Sequence, residues 1–297
     1  MKIHFSSKLI SLFLSLILLA SFAAASAQTI EGAATLDDDP VTVTIAVTSE
    51  TPELWSAINA VLAKRGYNIT VKDVNLGGAD GSANTAVAQG EVDLNAFQHY
   101  AYFNGYAQDA GILDQLAVIG ETLIVPLSLF SAKHTDLEEL KFDGVSIAIP
   151  EDTTNQGRAL KVLENAGLLT VSEEAGLNGV IKDIQEDPYN IKFTELPGSQ
   201  IASALPDVDA AIINCGIAVS YGLDPINDPI YKDDIDLTDP TFQPFINIIV
   251  ARADEKDNPN YQAVVEAYHT REVADALNEI YGGAALPAFD VPEDYVE

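Results

Sequence analysis

Four short clusters carry side chains able to bind or transform a small polar molecule: Asn95-Ala-Phe97-Gln-His99, Glu151-Asp-Thr-Thr-Asn155-Gln-Gly157-Arg158, Asn214-Cys-Gly216 and Phe245-Ile-Asn247. The second has the clearest chemistry. Thr153 or Thr154 can cap a helix that opens there, because a hydroxyl accepts from the free N–H groups of a first turn. A helix N-terminus favours anions, and Arg158 can grip a carboxylate with two parallel hydrogen bonds. Gly157 would let a ligand approach the backbone closely. The competing reading pairs Arg158 with one of the many nearby acids, and spacing leaves both open. Asn247 sits inside Phe-Ile-Asn-Ile-Ile-Val, where an unpaired buried amide is costly. It either satisfies a neighbouring loop or points into a crevice, and Asn214 carries the same ambiguity. Phe97 and His99, two apart, face the same way if the chain stays extended and could line an apolar pocket.

The elements that must position these clusters follow from periodicity. Residues 41–47 alternate and are β-branched, which predicts a strand. Glu53 to Arg65 has Leu54, Ile58, Val61 and Leu62 at helical spacing and stops at Gly66. A strand over 69–74, a short helix over 84–89 and a strand over 92–96 follow. Strand–helix alternation of this kind argues for an α/β layer with mostly parallel strands. Residues 116–130 form an extended stretch too long for one ordinary strand, fit to pass between two lobes. A second α/β unit starts at 145–149, with a helix over 154–165 and strands over 191–194 and 210–214. An acidic, loop-like segment over 224–239 precedes a strand over 245–251. Helices over 260–268 and 271–280 close the chain. The pattern implies two α/β lobes joined by two crossing strands, with ligands bound beyond the carboxyl ends of the strands.

The bulk composition removes several classes of function. Lys2 and Lys8, the apolar run from Leu9 to Ala20 and the small residues Ala25-Ser26-Ala27 have the layout of a cleavable secretory signal over 1–27. An uncleaved anchor is the alternative, and the shortness of the run argues against it. Removing Lys2 and Lys8 leaves 13 basic residues against 45 acidic ones. Such a surface repels nucleic acid and anionic lipid. It either attracts cations or a basic partner, or is a solvated acidic surface suited to a salty milieu. Residues 28–40, small and acidic, are expected to be a flexible tether. Cys215 is the only cysteine, so no intramolecular disulfide forms, and no cofactor or metal site is expected. There is no Gly-x-Ser-x-Gly elbow, no phosphate-binding Gly-Lys-Ser/Thr loop and no His pair at metal spacing, so an enzyme is not expected.

Together the four clusters resemble the methionine-binding lipoprotein family of ABC importers, also called the NlpA lipoprotein family. The resemblance runs from about Val41 to Ala288 and is strongest over Gly90–His99, with Thr154-Asn-Gln-Gly-Arg158, Ile213-Asn214, Asn247-Ile-Ile-Val250 and Gly282-Gly283 in the family's order. It implies a type II, periplasmic-binding-protein-like fold, with one lobe over 41–132 and 244–297 and the other over 133–243. It implies a protein that closes on L-methionine or a close relative and hands it to a membrane permease and its ATPase, working as a monomer. By this resemblance Arg158 would hold the ligand carboxylate, Asn155, Asn214 and Asn247 would bond its polar end, and Phe97 and His99 would flank its side chain. Two departures stand out. Family members usually carry an acylated cysteine just after the signal, absent here, which implies a free protein in a periplasm. The family's tyrosine four residues ahead of Asn84 is replaced by Asp80, within Gly77-Gly-Ala-Asp-Gly81. Asp80 either turns to solvent in a tight turn or faces a polar or cationic group of a different ligand. Other small solutes, or a surface or sensory role without transport, are the remaining alternatives.

Overall fold

The computed structural model describes residues 29–77 and 82–292; the signal segment and Asp80 lie outside them. The chain opens with β1 (Val41–Val47), α1 (Pro52–Lys64), β2 (Ile69–Asn75), α2 (Ser82–Gln89), β3 (Leu94–His99), α3 (Tyr100–Asp109) and β4 (Leu116–Glu121). It passes through β5 (Leu123–Ile124) into β6 (Leu127–Phe130), β7 (Ser146–Pro150), α4 (Thr153–Asn165), β8 (Thr170–Val171), β9 (Ile184–Glu186) and β10 (Lys192–Leu196). Then come α5 (Gly198–Ala204), β11 (Ala210–Asn214), α6 (Cys215–Ser220) and β12 (Tyr231–Lys232). The end of the chain supplies β13 (Asn247–Arg252), α7 (Pro259–Tyr268), α8 (Arg271–Ile280) and β14 (Leu286–Pro287).

Two five-stranded sheets result, ordered β2-β1-β3-β13-β4 and β10-β7-β11-β6-β12. In each, four strands run the same way and the fourth in spatial order, β13 or β6, runs against them. The fold is therefore α/β and two-lobed. The chain crosses between sheets twice, once between Glu121 and Leu127 and once between Lys232 and Asn247. The lobe boundary expected at residue 132 moves earlier, because Leu127–Phe130 pairs antiparallel with β11 and so belongs to the second sheet. Apolar continuity over 116–130 hid the change of sheet.

Local signals account for most elements. In α1, Pro52 stands in the first turn and Leu54, Trp55, Ile58, Val61 and Leu62 are buried. Gly66, at φ +86, ends it in a conformation that a β-carbon disfavours. Asn258 and Thr270 cap α7 and α8, accepting from Asn260 N and Val273 N. Both helices pack with α1 over the first sheet, joining Tyr261, Val264, Tyr268 and Leu277 to Ile45, Ile58 and Leu62.

The segment before β1 is not a free tether over its described part. Ala33 and Ala34 are buried in the first-lobe core. Ile30 N donates to Tyr67 Oη at 2.9 Å, and Ala34 N donates to Asn260 Oδ1 at 2.8 Å. Two alanines are small enough to enter a gap that longer side chains would not, and the acidic run Asp37–Asp39 stays exposed beside them. No helix among the described residues is long and apolar enough to cross a membrane.

Candidate functional site

The carboxyl ends of the parallel strands in both sheets converge on one cavity of about 150 Å³. Thr48 and Ser49 follow β1, Phe97 to His99 end β3, Asp152 and Asn155 follow β7, Gly198 follows β10, and Asn214 ends β11 with Cys215 to Ile217 after it. Asn247, at the start of β13, lies opposite His99 and also lines it. Six of the seven sequence-selected residues thus meet: Phe97, His99, Asn155, Arg158, Asn214 and Asn247.

A bulge in β3 aims its side chains. Between Gln98 and Asn95 the strand takes three steps where β13 takes two, from Ile248 to Val250. The extra residue breaks strict alternation, so Asn95 and Gln98 both reach Asn84 on α2. Asn84 Nδ2 donates to Gln98 Oε1 at 2.8 Å and Asn95 Nδ2 donates to Asn84 Oδ1 at 3.0 Å. All three are buried. Half of the Asn-x-Phe-Gln-His stretch is therefore scaffold that locks α2 to the sheet.

His99 joins the two lobes. Its Nδ1 accepts from Tyr102 N at 3.1 Å and so caps α3. That bond leaves the ring proton on Nε2, which donates to Asn155 Oδ1 at 3.2 Å. The same oxygen accepts from Asn214 Nδ2 at 2.8 Å. Asn155 in turn donates from Nδ2 to both carboxylate oxygens of Asp152 at 3.1 Å. Burial, and then the nearby Arg158 charge, push the His99 pKa down to about 4. The imidazole is neutral at physiological pH, as the donor–acceptor assignment requires.

The cap of α4 is Asp152, not Thr153 or Thr154. Its carboxylate accepts from Asn155 N at 2.9 Å and from Thr154 Oγ1 at 2.9 Å. A carboxylate competes better than a hydroxyl for a helix N-terminus, since its charge also meets the helix dipole. Gly157 serves a protein contact rather than a ligand: a β-carbon there would stand 2.1 Å from Leu177 O and 2.9 Å from Leu177 C.

Arg158 is buried and paired with an acid of the segment expected to be an open loop. Its Nε donates to Asp233 Oδ2 at 3.0 Å, and Nη2 stands 2.9 Å from the same oxygen as an ion pair. Nη2 also donates to Val125 O at 2.8 Å, and Asp233 Oδ1 accepts from Leu127 N at 2.7 Å. The pair therefore ties α4 to both crossing segments. The guanidinium lies 4.7 Å from the Phe245 ring centroid, and Nη1 takes part in neither bond. The competing sequence reading of Arg158, an ion pair with a nearby acid, is realised. It coexists with a place in the cavity wall.

Several wall residues escaped sequence reasoning, including Trp55, Tyr102, Tyr268 and Tyr281. Trp55 reads as one more apolar position of α1. It was detectable by the rule that found the other clusters, because Thr48 to Trp55 directly follow a strand end. Cys215 also lines the cavity, and burial pushes its thiol up to about 12. It is thus a poor nucleophile at neutral pH. Among the described residues no group of three or more His, Cys, Asp or Glu is placed to hold a metal ion.

Known proteins share this architecture. The D-methionine-binding lipoprotein MetQ of Salmonella typhimurium is 34% identical over 252 residues, 84% of this chain and 89% of the relative. The substrate-binding protein of a methionine transporter from Streptococcus pneumoniae superposes with a TM-score of 0.75 at 33% identity, covering 84% of this chain and 96% of that one. A nutrient-binding protein from Burkholderia cenocepacia, solved bound to methionine, gives a TM-score of 0.74 at 30% identity, with 84% and 100% covered. The sequence model described as NlpA lipoprotein matches residues 41–289, from β1 to just beyond β14, and the chain belongs to that family.

Proposed function

We propose that this protein is the solute-binding component of an ABC importer and that it captures methionine between its lobes. The observation that carries this reading is the convergence of His99, Phe97 and Asn247 from the first lobe with Asn155, Arg158 and Asn214 from the second around one small cavity. Amide and guanidinium donors suit an amino-acid carboxylate, and the Asp152 carboxylate suits its ammonium group. The named methionine-binding relatives support the ligand assignment. It is a binding protein rather than an enzyme: ligand contacts to both lobes stabilise the closed form, and a permease with its ATPase receives the solute. The protein acts as a monomer, exported by the segment over 1–27 and free in a periplasm, since its only cysteine is buried in the cavity wall.

Calorimetric titration of ligand-stripped protein with L- and D-methionine tests this, with intact mass checking for a lipid-free chain that starts at Gln28. At least one enantiomer is expected to bind, and Arg158→Ala is expected to weaken binding by roughly 2–5 kcal/mol, because it removes a buried charged donor. Absence of heat with both enantiomers would overturn the methionine assignment. Undiminished affinity in Arg158→Ala would remove Arg158 from the site.

A further inference from the structure

Two helices from different lobes meet outside the cavity. Helix α3 follows β3 on the first lobe, and α4 follows β7 on the second. At the cavity their N-terminal ends are joined, His99 at the cap of α3 to Asn155 of α4 at 3.2 Å. Further along α3 stands Gly105, partly buried. A β-carbon there would lie 3.4 Å from Cγ2 of Thr154, the neighbour of Asn155 on α4. Such an atom would already touch the other lobe, with no gap left between them. Glycine is the poorest helix former after proline, and the φ of Gly105 is not positive, so the backbone does not require one there. What the position does have is this neighbour across the cleft. Side chains on a helix lean toward its N-terminus. From position 105 that direction runs toward His99, along the seam with α4. Ala101, one turn earlier, packs on the cluster of Ile124, Phe245 and Ile246 where the chain crosses between lobes.

We infer that Gly105 is a positioning residue for ligand capture: its bare α-carbon lets α3 and α4 seat against each other when the lobes close, and a side chain larger than that of alanine props the cleft open. This rests on the proposed capture between lobes and adds to it the contact that limits closure. Gly105 is not among the residues that line the cavity, so it acts on affinity through the spacing of the lobes. A ligand held by both lobes gains its full contacts only in the closed form. A penalty confined to that form therefore lowers the apparent affinity. When the lobes part, the seam is empty, and a better helix former at 105 strengthens α3. Affinity and ligand-free stability should thus move in opposite directions, which ordinary damage to the fold does not produce.

Gly105→Ala, Gly105→Leu and Gly105→Phe are titrated with methionine, with Gln108→Leu at an exposed position of the same helix as control. The alanine variant and the control should stay within about twofold of wild type. The leucine and phenylalanine variants should bind roughly 5- to 100-fold more weakly, the scale of one overpacked contact. Their urea midpoints without ligand should stay at or above that of wild type, and small-angle scattering should show less compaction on adding methionine. Thr154→Ser removes Cγ2 and keeps the hydroxyl that donates to Asp152. Relative to Thr154→Ser alone, Gly105→Leu should then cost about threefold less affinity, or better. Leucine and phenylalanine variants within about twofold of wild type would overturn the inference while leaving methionine binding intact. So would a loss that comes with a lowered urea midpoint and that Thr154→Ser does not relieve. If the wild type binds methionine of neither hand, this inference and the proposed function fail together.

Discussion

His99 does two jobs with one ring, capping α3 through Nδ1 and reaching across the cleft through Nε2. The Nδ1 bond needs the neutral imidazole, and burial makes the charged form costly. The pKa therefore falls from the usual histidine value near 6.5 to about 4. The consequence for stability has a definite sign. Above about pH 6.5 neither folded nor unfolded chain protonates this ring. Between that value and about 4 the unfolded chain takes up a proton that the folded chain refuses, so stability falls as pH falls. The loss at pH 4.5 relative to pH 7.5 comes to about 2–3 kcal/mol. Urea denaturation of wild type and His99→Gln at the two pH values checks this: the drop should be smaller in the variant by about that amount, and equal drops would refute it. Arg158 contributes to the same shift and is itself fixed by Asp233. Removing its charge therefore disturbs the structural pair as well as the proposed ligand contact, which is why affinity and fold must be read in the same variant.

Among the elements, α4 and β3 do the positioning. Helix α4 carries Asn155 and Arg158 and lies so close to the 3-10 turns over Glu173–Asn178 that only a glycine fits at 157. Gly157→Ala should destabilise the protein by about 1–3 kcal/mol through steric displacement of backbone, although alanine is the better helix former by about 1 kcal/mol. Gly105, inside α3, is the control. A β-carbon there meets only Thr154 Cγ2 at 3.4 Å, so Gly105→Ala should be neutral or stabilising by up to about 1 kcal/mol. Denaturant midpoints for the pair decide the matter, and a stabilised Gly157→Ala would show that the turn can retreat. Strand β3 uses its bulge to send Asn95 and Gln98 to α2 while Phe97 and His99 remain on the cavity wall. That explains how one short motif both builds the lobe and furnishes its site.

At the scale of the whole molecule, two five-stranded sheets with the same succession of parallel and antiparallel pairings flank the cavity, and the Arg158–Asp233 pair joins α4 to both chain crossings. The closing movement proposed for capture would act on this junction. Around it lies a surface with a large excess of acid, 45 acidic residues against 15 basic in the full chain. Mutual repulsion of these charges opposes compaction and is screened within about 10 Å at 0.1 M salt and about 3 Å at 1 M. The melting temperature should therefore rise between 50 mM and 1 M sodium chloride, and a fall over that range would favour specific ion pairs as the dominant surface term. Exposed pairs such as Lys64–Glu272 would weaken with salt, but each contributes little.

By itself the sequence determined the α/β class, most strands and helices, and six of the residues that line the cavity. Those features rest on local rules: periodicity, stop signals, and the habit of ligands to sit beyond strand ends. The resemblance to a known family added roles that spacing could not. Tertiary structure alone decided the rest, because the deciding partners are distant in the chain. Asp233 finds Arg158 seventy-five residues away, so no local pattern could tell an open acidic loop from a buried counterion. Leu127–Phe130 belongs to the second sheet through its pairing with β11. Ala33 and Ala34 are core because Asn260 and Tyr67 anchor the segment that holds them. Trp55 kept the helical spacing of a core residue, and only the assembled fold places it in the cavity wall.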